Sequence, residues 1–388
     1  MKRRLLKTRK YACLFLLSFL PLVLSGCTHD ISRREIDELD LVLVLGIDYS
    51  NGEYTLTAIT NGSGGSSGGG SGQQKGSGSS GGSSSGTEQV AEGKGKTAYE
   101  ALQDLMQKDK KAITLAQTGS FLIGEGAAKQ GLDQSLDFLS RDETIKMEAL
   151  IYTIKEMTAA DFIKTGMENK QTIHTDLDAM KQKQQELLTR NDNTVVNILN
   201  DMRQSYSCVL IPYLIADKSG YLIEGYTVFD KLKQKDYLDH ETSDGVSFFR
   251  NIMRTYPIYL QDQVSLWVSF TNTNLKAKVK DNQITVTVKV SFDSMVKEVL
   301  TKDNIFNLTE MNRLTEAQNS YIQAILEKPA NYSIKNDLDI LNLARLIENQ
   351  NYSQWKDIRD NWTDEISKIK YEYKLQSRIS KSFILGQE

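Results

Sequence analysis

The chain has 388 residues and a formal net charge of −3 at neutral pH, from 47 basic and 50 acidic residues. Six of the basic residues lie among the first ten positions, so the chain after residue 26 carries 41 basic residues against 50 acidic ones. This acidic balance disfavours nucleic acid as a partner, because phosphate contacts require basic patches. The length exceeds one comfortable hydrophobic core and predicts two or three domains.

The N-terminus combines a basic cluster, an uncharged apolar run at 11–24 and a cysteine. As a helix the run would span about 21 Å, short of the ~30 Å hydrocarbon core of a bilayer, which is typical of a secretory signal peptide. The letters LSGC at 24–27 resemble the bacterial lipobox, in which the cysteine is diacylated, with chains such as palmitate, and becomes the new N-terminus. We therefore expect cleavage of residues 1–26 and lipid attachment at Cys27, which pins the chain to a membrane surface. The alternatives are an uncleaved membrane helix and an ordinary signal peptide with a chance cysteine.

The chain contains two further cysteines. Cys13 would leave with the signal peptide, so only Cys208 remains beside the lipid site and no intrachain disulfide is expected. Cys208 lies in the apolar run SCVLIPYLI. This setting predicts a buried structural cysteine rather than a nucleophile.

Residues 27–193 read as an N-terminal α/β domain. The stretch LVLVLGIDYSNGEYTLTAIT predicts two strands around a turn at 50–52, the first of them central in a sheet because it is continuously apolar. Strands predicted at 120–123 and 149–154 alternate with helices that begin after Thr97, in a capping box with Glu100, and after Thr158. The Gly/Ser-rich segment 62–86 cannot bury apolar surface and is expected to be a disordered, tolerated insertion.

Residues 194–255 read as a middle domain. A polar helix at 176–191 is expected to connect it to the N-terminal domain. Thr194 is expected to cap a helix with an apolar face, and CVLIPYLIAD and GYLIEGYTVFD predict a hairpin around KSG.

Residues 256–388 read as a C-terminal α+β domain. QVSLWVSF, LKAKVK and QITVTVKVSF predict three alternating strands, the last two turning at Asp281 and Asn282. A helix is expected from 304 to 327, ending before Pro329, followed by two more helices and a final strand. In that strand Ile369, Tyr371, Tyr373 and Leu375 alternate with polar residues, which implies one buried face. The predicted fold class is α/β to α+β, in three domains each built on a mixed or antiparallel sheet flanked by helices.

Motifs that carry chemistry are sparse. The spacing around His29, His174 and His240 indicates no metal site, and GEGAAKQG lacks the residue order of a phosphate loop, so its glycines indicate a tight strand-to-helix connection. The acidic cluster at 37–40 is expected to be a solvated face. The three residues Trp267, Trp355 and Trp362 are expected to pack structurally. We therefore predict no catalytic residue, no metal, no cofactor and no enzymatic activity.

Four blocks occur in an order typical of one family. They are the lipobox with DELDLVLVLGIDYSNGEYTLTA, then SFLIGEGAAKQGLDQSLDFLSRD with Arg141, then VLIPYLIADKSGYLIEGYTVFDKLK, and last WTDEISKIKYEYKLQSRISKSFILG ending at Gly386. Together they resemble the Ger(x)C family of spore germination lipoproteins, the C subunits of GerA-type nutrient germinant receptors. The resemblance covers nearly the whole mature chain.

The resemblance implies a fold of three α/β-type domains and a non-enzymatic subunit on the outer face of the spore inner membrane. It also implies two partners, a partly membrane-embedded A subunit and a transporter-like B subunit. Of the family's residues only Cys27 is carried over, and ligand-binding residues stay unknown. Two alternatives remain at this point, a lipoprotein that captures a nutrient or other solute itself, and an envelope enzyme such as a wall hydrolase.

Overall fold

A computed structural model describes residues 38–61, 88–187, 189, 192–217, 220–260, 264–281, 283–300, 305 and 307–380. The described residues from Asp40 onward form one compact unit. The expected signal peptide, Cys27, His29, the Gly/Ser segment and Gly386 lie outside the described residues.

Thirteen strands occur in the described part of the chain. They are β1 Leu39–Ser50, β2 Glu53–Asn61, β3 Glu88–Gly95, β4 Ala112–Thr114, β5 Ser120–Ile123, β6 Leu150–Ile154, β7 Val209–Asp217, β8 Gly220–Asp230, β9 Lys233–Tyr237, β10 Tyr256–Leu260, β11 Val264–Lys280, β12 Gln283–Val299 and β13 Lys370–Ser380.

Eleven α-helices accompany them within the same residues. They are α1 Ala98–Lys108, α2 Glu125–Gln130, α3 Leu132–Leu136, α4 Ala159–Glu168, α5 Ile173–Leu187, α6 Val195–Asp201, α7 His240–Phe249, α8 Leu308–Asn336, α9 Leu343–Gln350, α10 Tyr352–Ile358 and α11 Trp362–Ile366.

The larger sheet has nine strands in the order β3-β2-β1-β5-β6-β7-β8-β9, with β4 also paired to β1. Its central strands β1, β5, β6 and β7 run parallel, and β2, β3, β8 and β9 on either side of them pair antiparallel. Every residue of β5 and β6 is buried, because helices cover both faces of a parallel sheet. The predicted hairpins at β1–β2 and β7–β8 and the central position of β1 are confirmed.

The smaller sheet has the order β10-β11-β12-β13. β10, β11 and β12 pair antiparallel, whereas β13 returns to lie parallel to β12 after the helices α8 to α11. Buried residues alternate with outward ones along β12, and α8 packs against β10 and β13 on the inner side. One face of this sheet is therefore core and the other is open, as the alternation in the last strand predicts.

The fold class is confirmed as mixed α/β with sheets flanked by helices, but the described residues form two sheets rather than three. The strands β7, β8 and β9, expected in a middle domain at 194–255, extend the nine-stranded sheet through parallel pairing of β7 to β6. The physical reason is that Leu210, Ile211, Tyr213 and Leu214 are all buried, so β7 needs cover on both faces. The domain boundaries after 193 and 255 stay predictions.

Helix caps follow the local sequence closely. Thr97, Thr158 and Thr194 each accept a hydrogen bond from the backbone N–H three residues later. The capping box differs in one detail, since the Glu100 carboxylate accepts from the N–H of Lys96 instead of Thr97. α5 begins at Ile173, three residues earlier than expected, and buries Ile173 against the sheet.

Two expectations for the C-terminal region are wrong. The described residues of QVSLWVSF, from Val264 onward, and LKAKVK belong to one continuous strand, β11, which passes through a bulge between Ser269 and Asn272. α8 does not end before Pro329 but contains it. The helix continues because Ile322, Leu326 and Ala330 keep its inner face buried, which outweighs the roughly 3 kcal/mol that an interior proline costs.

Candidate functional site

A cavity of about 420 Å³ lies where β7 begins, close to the β8–β9 turn and the C-terminal helices. We call it the junction cavity. Its lining comprises residues 202, 204–209, 230–232, 337–339, 359–360, 362–363 and 366. It thus brings the start of β7 and the β8–β9 turn together with the segments that follow α8 and α10.

Asp339 lines this cavity and is held in place by several hydrogen bonds. It is 2% exposed, and its carboxylate accepts hydrogen bonds from the N–H groups of Leu343 and Ala344 at 2.8 Å each, at the start of α9. The same carboxylate accepts from the Ser207 hydroxyl at 2.9 Å, and the Asp339 carbonyl accepts from the N–H of Cys208. Burial raises the pKa of Asp339, although these donors lower it. One side chain therefore ties the start of β7 to α9.

Cys208 is buried beside this contact, as the sequence predicts. Burial, followed by the negative charges of Asp339 and Asp230, raises the pKa of its thiol well above the ordinary value. Because the thiolate is the reactive form, the thiol is poorly suited to nucleophilic chemistry. Its position confirms the structural interpretation.

An aromatic cluster closes one side of the cavity. The rings of Trp355 and Trp362 meet edge-to-face with centroids 5.3 Å apart, and Tyr206 meets Trp355 in the same way at 5.2 Å. Trp355 and Trp362 are buried, whereas Tyr206 is 41% exposed. The two tryptophans therefore pack structurally, as expected, and Tyr206 presents an aromatic surface towards solvent.

The β8–β9 turn on the opposite side is strained. Lys231 and Leu232, between the paired residues Asp230 and Lys233, both have positive φ values, of 48° and 64°. Hairpin turns of this geometry favour Asn-Gly, and other residues cost about 1–2 kcal/mol each. The Leu232 carbonyl accepts from the N–H of Leu132 at 2.8 Å, which holds the turn in place. Backbone strain of this kind clusters at ligand-binding and switch regions.

The lining carries charges of both signs. Lys231 and Arg359 are positive, and Asp230 and Asp360 are negative. Arg359 and Asp360 form a surface pair at 3.4 Å. The lining residues include no histidine. The arrangement can hold a small polar molecule or a partner's side chain by hydrogen bonds and charge.

The other sequence candidates are dispersed. His174 and His240 each face an aspartate one helical turn away, Asp178 at 3.5 Å and Asp244 at 3.6 Å. Within the described residues no group of three or more His, Cys, Asp or Glu side chains could hold a metal ion. The acidic cluster is described only from residue 38, and the expectation of a solvated face is wrong at Asp40, which is buried and lies 3.8 Å from Lys111.

The glycines of GEGAAKQG serve a strand-to-helix connection, as predicted. Gly124 follows β5, and a Cβ on it would lie 1.8 Å from the Asp48 carboxylate. Asp48 accepts from the N–H groups of Ala159 and Ala160 at 2.7 and 2.9 Å, where α4 begins. Burial raises the pKa of Asp48 to about 6. The sequence gives no signal for this carboxylate because its partners lie more than 110 residues away.

The fold places the chain in a class represented by a solved structure. "Crystal Structure of the GerBC protein" superposes with a TM-score of 0.54 over 86% of this chain and 96% of that chain, at 14% sequence identity. At this identity the likeness shows a shared fold.

Two family descriptions then match consecutive parts of the sequence. "Spore germination protein N-terminal domain" matches residues 32–216, and "Spore germination B3/ GerAC like, C-terminal" matches residues 224–382. The chain therefore belongs to this spore germination family, and the resemblance seen in the sequence is confirmed. A curated relative, "Spore germination protein KC" of Bacillus subtilis (strain 168), is 24% identical over 382 residues, which is 91% of this chain and 90% of the relative.

None of the helices that the structure describes is both long enough and apolar enough to cross a membrane.

Proposed function

We propose that the chain is a lipid-anchored, non-catalytic subunit of a nutrient germinant receptor complex. In this proposal Cys27 carries the lipid and holds the protein on the outer face of the spore inner membrane. The folded unit contacts integral-membrane A and B subunits and supports the nutrient-triggered state. The observation that carries the proposal is the family match across both halves of the chain, at 32–216 and 224–382.

The geometry of the junction cavity supports a role in contacts rather than in catalysis. Its thiol has a raised pKa, and its buried carboxylate is occupied by hydrogen bonds that stabilise the fold. The Asp339 contact joins the residues just before β7 to the start of α9.

The test is a Cys27→Ala chain expressed from its own position in sporulating cells. We expect the protein to be lost from the membrane fraction of spores and nutrient-triggered germination to be impaired. Cys13→Ala is the matched control, because it removes a cysteine from the expected signal peptide and leaves the lipobox letters intact. Normal membrane retention together with normal germination in the Cys27→Ala strain would contradict the proposal.

The junction cavity favours one second function, capture of a nutrient by this subunit itself. A volume of about 420 Å³ falls within the range of small-molecule sites, and a lining with both charge signs suits a zwitterion such as an amino acid. A ligand that binds only the folded chain raises the melting temperature, and the shift grows with the logarithm of ligand concentration above the dissociation constant. We expect the shift to disappear in Arg359→Ala, and no shift across a panel of amino acids and sugars would exclude this function.

A further inference from the structure

The smaller sheet has an open face, which we call the outer face. Along β12 the buried residues Val286, Val288 and Val290 alternate with Thr287 and Lys289, which point away from the core. The same alternation runs along β11 and β13. Outward residues of three long strands therefore form one continuous surface.

Six exposed lysines lie on this surface. They are Lys276, Lys278 and Lys280 on β11, Lys289 on β12, and Lys370 and Lys374 on β13. The strand register brings them together, since Lys278 and Lys370 flank Thr285 and Lys374 lies directly beside Lys289. From strand spacings, the six ammonium groups occupy an area of about 20 by 10 Å.

Little negative charge compensates them. Glu372 on β13 accepts from the Thr287 hydroxyl at 3.3 Å, and Asp293 on β12 pairs with Arg378 on β13 at 2.9 Å. Lys280 lies 4.0 Å from Asp281 in a pair whose side chains are 73% and 87% exposed. Among the residues that the structure describes, no ion pair joins the other five lysines to a carboxylate. A net-acidic protein thus carries one strongly positive surface.

Aromatic side chains occupy the other end of the outer face. Trp267 pairs with Pro257 on β10 and with Met295 on β12. Tyr259 on β10 is 61% exposed, and Phe270 at the β11 bulge is 83% exposed.

Phe270 is also held there at a conformational cost. Its φ of 52° is one that a bulky residue rarely adopts. Phe270 lines a shallow hollow together with polar residues of the neighbouring strands, among them Ser291, Asp293, Gln376 and Arg378. An exposed phenylalanine held in a strained conformation on a polar surface indicates an external partner.

We propose that the outer face is a docking surface for an anionic phospholipid bilayer. Lysines supply diffuse attraction to anionic headgroups, and tryptophan, tyrosine and phenylalanine are the side chains that enter the interfacial layer. Most of the positive charges here are lysines rather than arginines. A lysine ammonium binds anions without a fixed geometry, which suits mobile lipid headgroups, whereas arginine suits the paired geometry of a protein carboxylate. Nothing in this proposal rests on lipid attachment at Cys27.

The test uses the unlipidated chain from residue 28, which retains every residue that the structure describes. We would measure flotation with phosphatidylcholine vesicles containing about 30 mol% phosphatidylglycerol, and with phosphatidylcholine alone. Wild type should bind only the anionic vesicles and dissociate as salt rises. Because each lysine near such a surface contributes about fivefold, K276Q/K278Q/K280Q should bind roughly 100-fold more weakly.

The matched control is K94Q/K233Q/K235Q, which removes three exposed strand lysines of the larger sheet and changes net charge equally. It should bind within about twofold of wild type if the outer face is the binding surface. Circular dichroism and melting temperature establish that both triple variants are folded. Equal losses in the two variants would show attraction to net charge alone and overturn the proposal.

The aromatic end has its own readout. Tryptophan emission should shift to shorter wavelength on anionic vesicles in wild type and not in Trp267→Phe, because Trp355 and Trp362 are already buried. Phe270→Ser should weaken binding without changing the salt dependence. Absence of wild-type binding to anionic vesicles would overturn the proposal. If the wild-type chain were then retained on an immobilised acidic polypeptide, the outer face would be assigned to an acidic protein partner instead.

Discussion

Replacing Asp339 by alanine tests the contact that joins the start of β7 to α9. The substitution leaves two backbone N–H groups at the start of α9 and the Ser207 hydroxyl without their acceptor. An unsatisfied buried donor costs about 1–3 kcal/mol, and a broken buried charged network about 3–5 kcal/mol in all. Burial raises the pKa of Asp339, so removing the carboxylate also recovers part of its desolvation cost. We therefore expect Asp339→Ala to lower the free energy of unfolding by roughly 3 kcal/mol.

Urea unfolding followed by the fluorescence of Trp355 and Trp362 measures this loss close to the contact, because Trp362 lines the cavity and Trp355 packs against Trp362. Asp339→Asn retains one acceptor oxygen and should lose about half as much. Asp360→Ala is the control, since its side chain is 78% exposed in the same lining and should change stability by less than about 0.5 kcal/mol. A stability of Asp339→Ala within about 0.5 kcal/mol of wild type would refute the reasoning.

Three further predictions concern Asp48, Gly245 and Thr97. Burial raises the pKa of Asp48 from 3.8 to about 6, so the folded state binds more protons than the unfolded state between these values. The stability that the protonated Asp48 contributes is therefore complete below about pH 4 and is lost as pH rises through 6. The free energy of unfolding should therefore fall by roughly 3 kcal/mol over this pH range in wild type, and Asp48→Asn should remove most of that fall. The same pH dependence in Asp48→Asn, measured by denaturant unfolding at several pH values, would contradict the prediction. A Cβ on Gly245 would lie 2.5 Å from the carbonyl oxygen of Ile325, so Gly245→Ala should lower the free energy of unfolding by about 1–3 kcal/mol. Gly119→Ala is the control, because a Cβ there has ordinary contacts and should cost less than about 1 kcal/mol. Equal melting temperatures of the two variants would exclude the close contact between the helices. Thr97→Ala removes the cap of α1 and should cost about 1 kcal/mol in thermal unfolding, with Thr97→Ser restoring it.

Local features of the fold could be predicted from the sequence. The caps at Thr97, Thr158 and Thr194 and the β1–β2 hairpin depend on residues within a few positions of one another, so short patterns are sufficient. The burial of Cys208 followed from its apolar neighbours in the same way. These predictions succeed because the physical cause and its effect lie in the same stretch of chain.

Features that depend on tertiary contacts could not be predicted. Pro329 lies within α8 because a buried face and the close approach of Gly245 stabilise the helix on both sides of it. The bulge that keeps β11 continuous depends on pairing with β12, and the short strand β10 is held at the sheet edge by pairing with β11.

The candidate sites show the same limit. Asp339 has a recognisable position ahead of α9, but its bond to Ser207 joins residues 132 positions apart. The outer-face lysines alternate visibly in LKAKVK and KIKYEYK, yet only the register of β11, β12 and β13 shows that they share one surface. Sequence alternation therefore predicts that each lysine is exposed, and the sheet topology is needed to show that they are clustered.

Mass spectrometry of the mature N-terminus, on protein extracted from spore membranes, tests the central claim most directly. The proposed receptor lipoprotein should begin at Cys27 with a diacylglyceryl group on the thiol and should lack residues 1–26. A chain that retains those residues, or that begins at an unmodified residue, would contradict the lipid anchor and the receptor-subunit function built on it.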